Sequence, residues 1–182
     1  MARELSMGSH STYVDRRREE GLRSRERTIA QANEARMLFS KVRLSAQLRR
    51  LWGIISGGSI ELPSGHDLLR GAIPLTPRPS GVEHIDLARV VGSEGRSRDF
   101  DRAFAPTRSY TRERWQRIAI AWMDGTPLDP VRLIQLGDRY LVRDGHHRIS
   151  VARSFGAVMI EAVVEQRFAL PETVRAGALV SA

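Results

Sequence analysis

The stretch from Val131 to Val164 constrains this chain more than any other. It opens with Val131, Leu133 and the run Ile134 to Leu136, a strand-like pattern closed by Gly137-Asp138, a turn signal between two apolar runs. Arg139 to Arg143 then alternates as a second strand, so the two halves predict a β-hairpin. Asp144-Gly145 breaks that strand. Beyond it Ile149, Val151, Ala152 and Phe155 recur at helical spacing until Gly156, and a further apolar strand runs from Met159 to Glu165. The segment Gly145-His146-His147-Arg148 is therefore expected where a buried strand gives way to the first turn of a helix.

Such a position has a chemistry of its own. The first turn of a helix leaves backbone N–H groups unpaired at the positive end of the helix dipole, and a glycine just before it lets an anion approach closely. Arg148 adds a planar fork suited to phosphate oxygens. His146 and His147 can donate hydrogen bonds or move protons near neutral pH. Adjacent helical residues diverge by about 100°, so the two imidazoles cannot share one metal, and no second histidine or cysteine spacing completes a zinc site. The pattern points to a phosphate group, such as that of a nucleotide.

Strand, Asp144-Gly-His-His-Arg148 and helix together resemble the signature of the ParB/sulfiredoxin-like superfamily. The similarity runs upstream through Ile85 to Val91, Gly95-Arg96, Asp99-Phe100 and Gly125 to Pro130, covering roughly residues 80 to 166. The resemblance implies a Gly-x-x-Arg element holding nucleotide phosphates through Gly145, His146, His147 and Arg148, with Arg96 in the place of an arginine box. Sulfiredoxins resolve an oxidised cysteine, and this chain has none, which excludes that chemistry. Partition proteins of the ParB type bind CTP and add a helix-turn-helix module downstream, for which the residues after the last strand leave no room. Free-serine kinases of the superfamily carry Asp-Gly-His-x-Arg, the version to which Asp144–Arg148 is most similar. A ParB-like nuclease is a third reading.

Charge supplies a second clue. The first 52 residues carry a net charge of +6 out of the chain's +8, so a basic arm precedes a nearly balanced remainder. Tyr13 to Ile55 reads as one long helix with an apolar stripe through Ile29, Ala32, Ala35, Phe39, Val42 and Ala46, extended by Leu48, Leu51, Trp52 and Ile55. Arg16, Arg17, Arg18, Arg23, Arg25 and Arg27 crowd its first half. Two readings compete for the arm. In one, these arginines neutralise DNA phosphates. In the other, the stripe packs on the domain or makes a homodimer, with Glu19, Glu20, Glu26 and Glu34 pairing with arginines three or four residues away.

The expected organisation is a basic helical arm (1–52), a Gly/Pro-rich linker (53–81), a ParB/sulfiredoxin-like domain (82–166) and a tail (167–182) in which Pro171 to Arg175 forms at most one helical turn. Asp86 is expected to cap a helix start, Phe100 and Phe104 to anchor a polar loop, and Thr111 to cap a helix over Arg112–Met123. In that helix Trp115, Ile118, Ala119 and Trp122 share a core-facing side, and Arg114 and Arg117 turn outward. The predicted fold class is α+β, a small mixed sheet with packed helices behind a long basic N-terminal helix.

The functional expectation is a nucleotide (CTP or ATP/ADP) bound by Arg96, Gly145, His146, His147 and Arg148, in a DNA-associated switch or a small phosphotransferase or hydrolase. In the enzymatic reading Asp144, His146 and His147 are catalytic. Asp144 either holds a phosphate-bound Mg²⁺, acts as a base, or simply caps the helix. No apolar run approaches the roughly 20 residues of a membrane span, and the charged N-terminus has no apolar stretch behind it. The expected location is therefore the cytoplasm, without membrane contact.

Overall fold

A computed structural model describes residues 8–76 and 81–170, with side chains from Arg18 onward. The element order is α1 (Gly8–Ser56), α2 (Gly65–Leu68), β1 (Ile73–Pro74), β2 (Val82–Asp86), β3 (Val90–Ser93), α3 (Arg112–Met123), β4 (Val131–Leu136), β5 (Arg139–Asp144), α4 (His146–Ser154) and β6 (Met159–Ala169), with single 3₁₀ turns at Leu87–Arg89 and Ser109–Thr111. The expected α+β class, a mixed sheet behind a long N-terminal helix, is what the chain adopts.

The hairpin forms as its pattern predicts. β4 and β5 pair antiparallel from Leu136↔Arg139 up to Arg132↔Asp144, turning at Gly137 with φ of 59°. β6 returns parallel to β4, β3 lies parallel to β5, and β1 and β2 both pair antiparallel along the other side of β6, giving the order β1-β6-β4-β5-β3 with β2 beside β6. Val131, Leu133, Val142, Ala162 and Val164 are fully buried and meet Ile149 and Ala152 of α4 in the main core. The expected anchors Phe100 and Phe104 are buried in that same core. Their loop is fastened by Asp101, whose carboxylate accepts from the amides of Ala103 and Ala105 and from Arg49 of α1.

A second core joins three helices. α3 lies between α1 and α4, with Ala35 and Phe39 of α1 against Trp115 and Ala119 of α3 and Val151 of α4. The Phe39 and Trp115 rings meet edge-on at 5.5 Å, and the Trp115 indole N–H donates to Ser150 Oγ at 2.9 Å. Trp115 is thus core, and its polar atom is satisfied within the helix layer.

Several expectations need correction. Residues 53–76 are no free linker. α1 runs on to Ser56, Leu62 enters the main core, Ser64 bridges to Ser93, and β1 pairs with Phe168 and Ala169, so β6 also extends past the expected domain end at 166. Pro77, Pro79 and Ser80 of that stretch, and the tail turn from Pro171, lie outside the described residues. Leu48, Leu51, Trp52 and Ile55 do not continue the face of Ala35 and Phe39; they are 58–78 % exposed. The reason is angular: nine residues from Phe39 to Leu48 turn about 900°, which ends half a revolution away. Ile29, expected in the stripe, is exposed as well. Thr111 precedes α3 in helical backbone geometry and its hydroxyl donates back to the Arg108 carbonyl, so its side chain caps nothing. Asp86 does cap, accepting from Ala88 N–H at 2.8 Å, although the element it opens is a 3₁₀ turn.

Candidate functional site

β5 delivers Asp144 to the edge of the core, and Gly145 turns the chain into α4 with φ of 96°. A methyl group on Gly145 would sit 2.6 Å from Val131 Cγ1 and 3.2 Å from Arg148 Nε, so both the left-handed backbone and the close approach to β4 require glycine here. The Ile149 amide donates to the Gly145 carbonyl at 3.0 Å, closing the first turn. The amides of His146, His147 and Arg148 precede that bond and point out of the helix start with its positive dipole end.

His146 and His147 follow the glycine and are both buried, at 4 % and 5 % exposure. The Phe100 ring stacks on His146 at 5.7 Å and meets His147 edge-on at 5.2 Å. Burial lowers the pKa of each imidazole to about 4. Arg96 and then His147 add to the effect for His146, and Arg114 and then Arg96 for His147. Both rings are therefore neutral near pH 7. His146 Nε2 lies 2.6 Å from Ser93 Oγ, which itself accepts from the Arg96 amide at 2.8 Å. That leaves the serine hydroxyl proton free to go to Nε2, which fits an imidazole carrying its own proton on Nδ1. Ser93 is completely buried, so the pair positions a ring and offers no accessible nucleophile. His147 Nδ1 is buried and has no hydrogen-bond partner. An orphaned ring nitrogen at 5 % exposure costs free energy unless a bound group meets it.

Arg148 is engaged by groups of the protein itself. One guanidinium nitrogen donates to the carbonyls of Asp129 and Pro130, and the other to Asp144 Oδ2 at 2.8 Å. The side chain is only 14 % exposed. It fastens the approach to β4 onto the start of α4, and it also lines the small cavity at that helix start. Asp144 likewise does not cap α4, since Gly145 occupies the cap position; its carboxylate is taken up by Arg148 four residues on.

The cations that remain are Arg96 and Arg114. Both are exposed and line one small cavity with Ile118, Asp144, Gly145, the two histidines and Arg148. Neither guanidinium has an ion-pair partner among the described residues. Arg96 does not pair with Asp99, which instead accepts a 2.5 Å hydrogen bond from the Tyr110 hydroxyl. Arg114 and Ser93 are the residues that sequence reasoning missed. Arg114 carried a signal, since it precedes Trp115 and sits four residues before Ile118 on the flank of the buried stripe. Ser93 carried none, because it reaches His146 only through the parallel pairing of β3 with β5.

The enclosed volume is about 20 Å³, room for one water-sized group, so whatever binds puts only a terminal oxygen inside and lies across the mouth. A larger cleft of about 370 Å³ shares Arg148 and is walled by Trp122, Leu128, Met159 and Ile160. Its shared arginine is committed to carbonyls, so that cleft lacks a free cation for a phosphate.

The arm residues stand apart. Arg18, Arg23, Arg25 and Arg27 are exposed on the part of α1 that projects past the body, where Arg23 pairs with Glu19 at 3.8 Å. The side chains of Arg16 and Arg17 lie outside the described residues. Among the described residues no group of three or more His, Cys, Asp or Glu could hold a metal ion, and no helix is long and apolar enough to cross a membrane.

No family model matches the chain, and no curated protein matches it significantly. Among solved structures, sulfiredoxin from Arabidopsis thaliana is similar at 17 % identity and a TM-score of 0.37, over 52 % of this chain and 93 % of that one.

Proposed function

We propose that the protein binds the phosphate groups of a nucleotide at the start of α4. The observation that carries this reading is the orphaned, buried Nδ1 of His147, a residue that lines a cavity with Gly145, His146, the Asp144–Arg148 pair and two arginines without ion-pair partners among the described residues. A phosphate oxygen entering the cavity would accept from that nitrogen in its protonated tautomer and from the amides, while Arg96 and Arg114 close on the outer oxygens. The resemblance of Asp144–Arg148 to the ParB/sulfiredoxin-like signature favours CTP or ATP/ADP as the nucleotide. A Mg²⁺ carried by the nucleotide would take Asp144 through Oδ1, since Oδ2 is held by Arg148, with phosphates and water completing the shell.

Binding is better supported than hydrolysis or phosphoryl transfer. A general base needs a carboxylate or imidazole free to take a proton near pH 7. Asp144 is tied to Arg148, and both histidines are held far below neutrality by burial and by arginines. The projecting arm suits a second, weaker contact with nucleic-acid backbone, because Arg18, Arg25 and Arg27 stand in solvent.

Labelled CTP, ATP and ADP with Mg²⁺, and pyrophosphate as competitor, titrated into the wild type and the Arg96→Ala/Arg114→Ala variant test this. The expected result is saturable binding displaced by pyrophosphate, weakened about tenfold or more in the variant, the loss of one or two charge-assisted hydrogen bonds. Undiminished affinity in the variant, or no binding of any nucleotide to the wild type, sinks the reading.

A further inference from the structure

The C-terminal half of α1 is apolar on two opposite sides. One side, through Ala35, Phe39 and Ala46, is buried against the body. The other carries Met37, Leu44, Leu48, Leu51, Trp52 and Ile55, each between 56 % and 78 % exposed. A helix with apolar residues on both faces is normally covered on both. Side chains of this size and exposure present an apolar patch on the order of 500 Å², large for a monomer surface.

The spacing of the exposed side says what covers it. Met37, Leu44 and Leu51 recur every seven residues, and Lys41, Leu48 and Ile55 fall four residues after each. This is the a/d alternation of a coiled-coil seam. We propose that α1 pairs with α1 of a second copy of this chain, antiparallel, about a two-fold axis at the level of Ala46.

Charge placement selects this occupant and this direction. The positions flanking the seam are Leu38, Ser40, Ser45, Gln47, Trp52 and Ile54, none of them charged. An acidic partner helix would need Lys or Arg at those positions to pair with. A helix lying on an anionic lipid surface would carry its cations beside the apolar face. Here Lys41 is a single cation within the seam, Arg36, Arg43 and Arg50 stand about 100–140° away from it, counting about 100° per residue from Met37, and Arg49 is bonded to Asp101. Neutral flanks suit an identical helix.

Within a pair of identical helices, direction follows from Lys41. Side by side in parallel, the two Lys41 ammoniums would face each other in the seam, and the arginine-dense arms would lie together. In the antiparallel pairing Met37 faces Ile55, Lys41 faces Leu51 and Leu44 faces Leu48, because each pair is symmetric about Ala46. At 1.5 Å per residue the two lysines then stand about 15 Å apart along the axis, and the two Arg23 side chains about 70 Å apart. Met37 of one copy arrives beside Ile55 of the other. There the chain's turn after Ser56 leaves a groove of about 670 Å³ lined by Leu51, Trp52, Ile55 and Ile60. Two such patches bury on the order of 1,000 Å² together, near the lower bound for a specific interface. The assembly would carry its two basic arms at opposite ends.

The test uses the full chain. Sedimentation equilibrium at micromolar concentration should give twice the monomer mass for the wild type and the monomer mass for Leu48→Glu and Leu44→Glu, with unchanged far-UV circular dichroism because both side chains are exposed. The chain has no native cysteine, so single cysteines report register. A mixture of Lys41→Cys and Leu51→Cys should form the mixed disulfide on mild oxidation, and Lys41→Cys alone should not. A monomeric wild type, a dimer that survives both glutamates, or cross-linking of Lys41→Cys to itself overturns the proposal.

Discussion

Gly145 is the position at which the site and the stability of the fold meet, and Gly145→Ala reads both. An alanine there must hold φ near 96°, a left-handed conformation that costs a residue with a Cβ about 1–2 kcal/mol. Its methyl would also lie 2.6 Å from Val131 Cγ1 and 2.9 Å from Val131 Cβ. Val131 is fully buried, paired with Ala162 in the middle of the sheet, and cannot step aside, so overpacking adds about 1–3 kcal/mol. The expected total is about 2–5 kcal/mol. Gly156→Ala is the control: its φ of 75° brings the same backbone cost, but a methyl there meets nothing within 4 Å. Urea unfolding followed by circular dichroism gives the comparison. With a slope of about 2 kcal/mol per molar, Gly145→Ala should lower the midpoint by about 1–2.5 M and Gly156→Ala by no more than about 1 M. Adding Val131→Ala should make the Gly145→Ala loss less than additive, because it removes the nearest atom. Equal midpoints for the two glycine variants would refute the contact with Val131 as the cause.

The same contacts predict three other outcomes. His146 and His147 have folded pKa values near 4 against an unfolded value of 6.5, so the unfolded chain binds more protons between those limits. Their contribution should be complete above pH 6.5 and lost progressively down to pH 4, on the order of 3 kcal/mol for each ring, seen as a falling urea midpoint that flattens in His147→Asn. Arg148→Ala strands the Asp129 and Pro130 carbonyls and Asp144, so it should cost about 2–4 kcal/mol in the absence of any nucleotide, and Arg148→Lys should not restore it because an ammonium lacks the second arm. Phe39→Ala empties the edge-on contact with Trp115 and should cost about 3–5 kcal/mol, with hydrogen exchange rising along Ala35–Arg49 before it rises in the sheet.

What could be read from the sequence was local. The hairpin, the break at Asp144-Gly145 and the helix ending at Gly156 each announce themselves within a few residues, through alternation, helical spacing and glycine, and the chain forms all three. What could not be read depends on which elements meet. Residues 57–76 have a linker's composition, yet Leu62 fills a place in a core built from strands far along the chain, and composition cannot show that. Arg148 sits in the motif position for a phosphate, but the carbonyls of Asp129 and Pro130 reach it because β4 begins beside α4. The two apolar faces of α1 look like one stripe when read as a string of residues, and separate only when each residue is given its angle.

The charge balance around α4 bears on which ligand the proposed site would prefer. Near pH 7 both imidazoles are neutral, Asp144 is matched by Arg148, and Asp99 accepts from Tyr110. Arg96 and Arg114 then outweigh Asp99, the one of these two carboxylates without a cationic partner among the described residues, and leave the site net positive beside a helix start that is itself electropositive. A carboxylate has too few oxygens to meet every donor there, and a neutral sugar or base brings no charge. A terminal phosphate supplies both the charge and enough oxygens to meet the amides, the arginines and His147 together. Those neutral rings also explain why the site tolerates so much positive charge at rest: a protonated His146 would face Arg96, and a protonated His147 would face Arg114. Burial sets most of the histidine depression, and the smaller share from Arg96 and Arg114 has the same electrostatic origin as the proposed attraction for an anion. A bound phosphate should accordingly raise both histidine pKa values, observable as ring-proton titration midpoints that move to higher pH when pyrophosphate is added; midpoints that stay near 4 with the anion bound would separate the histidines from the binding charge.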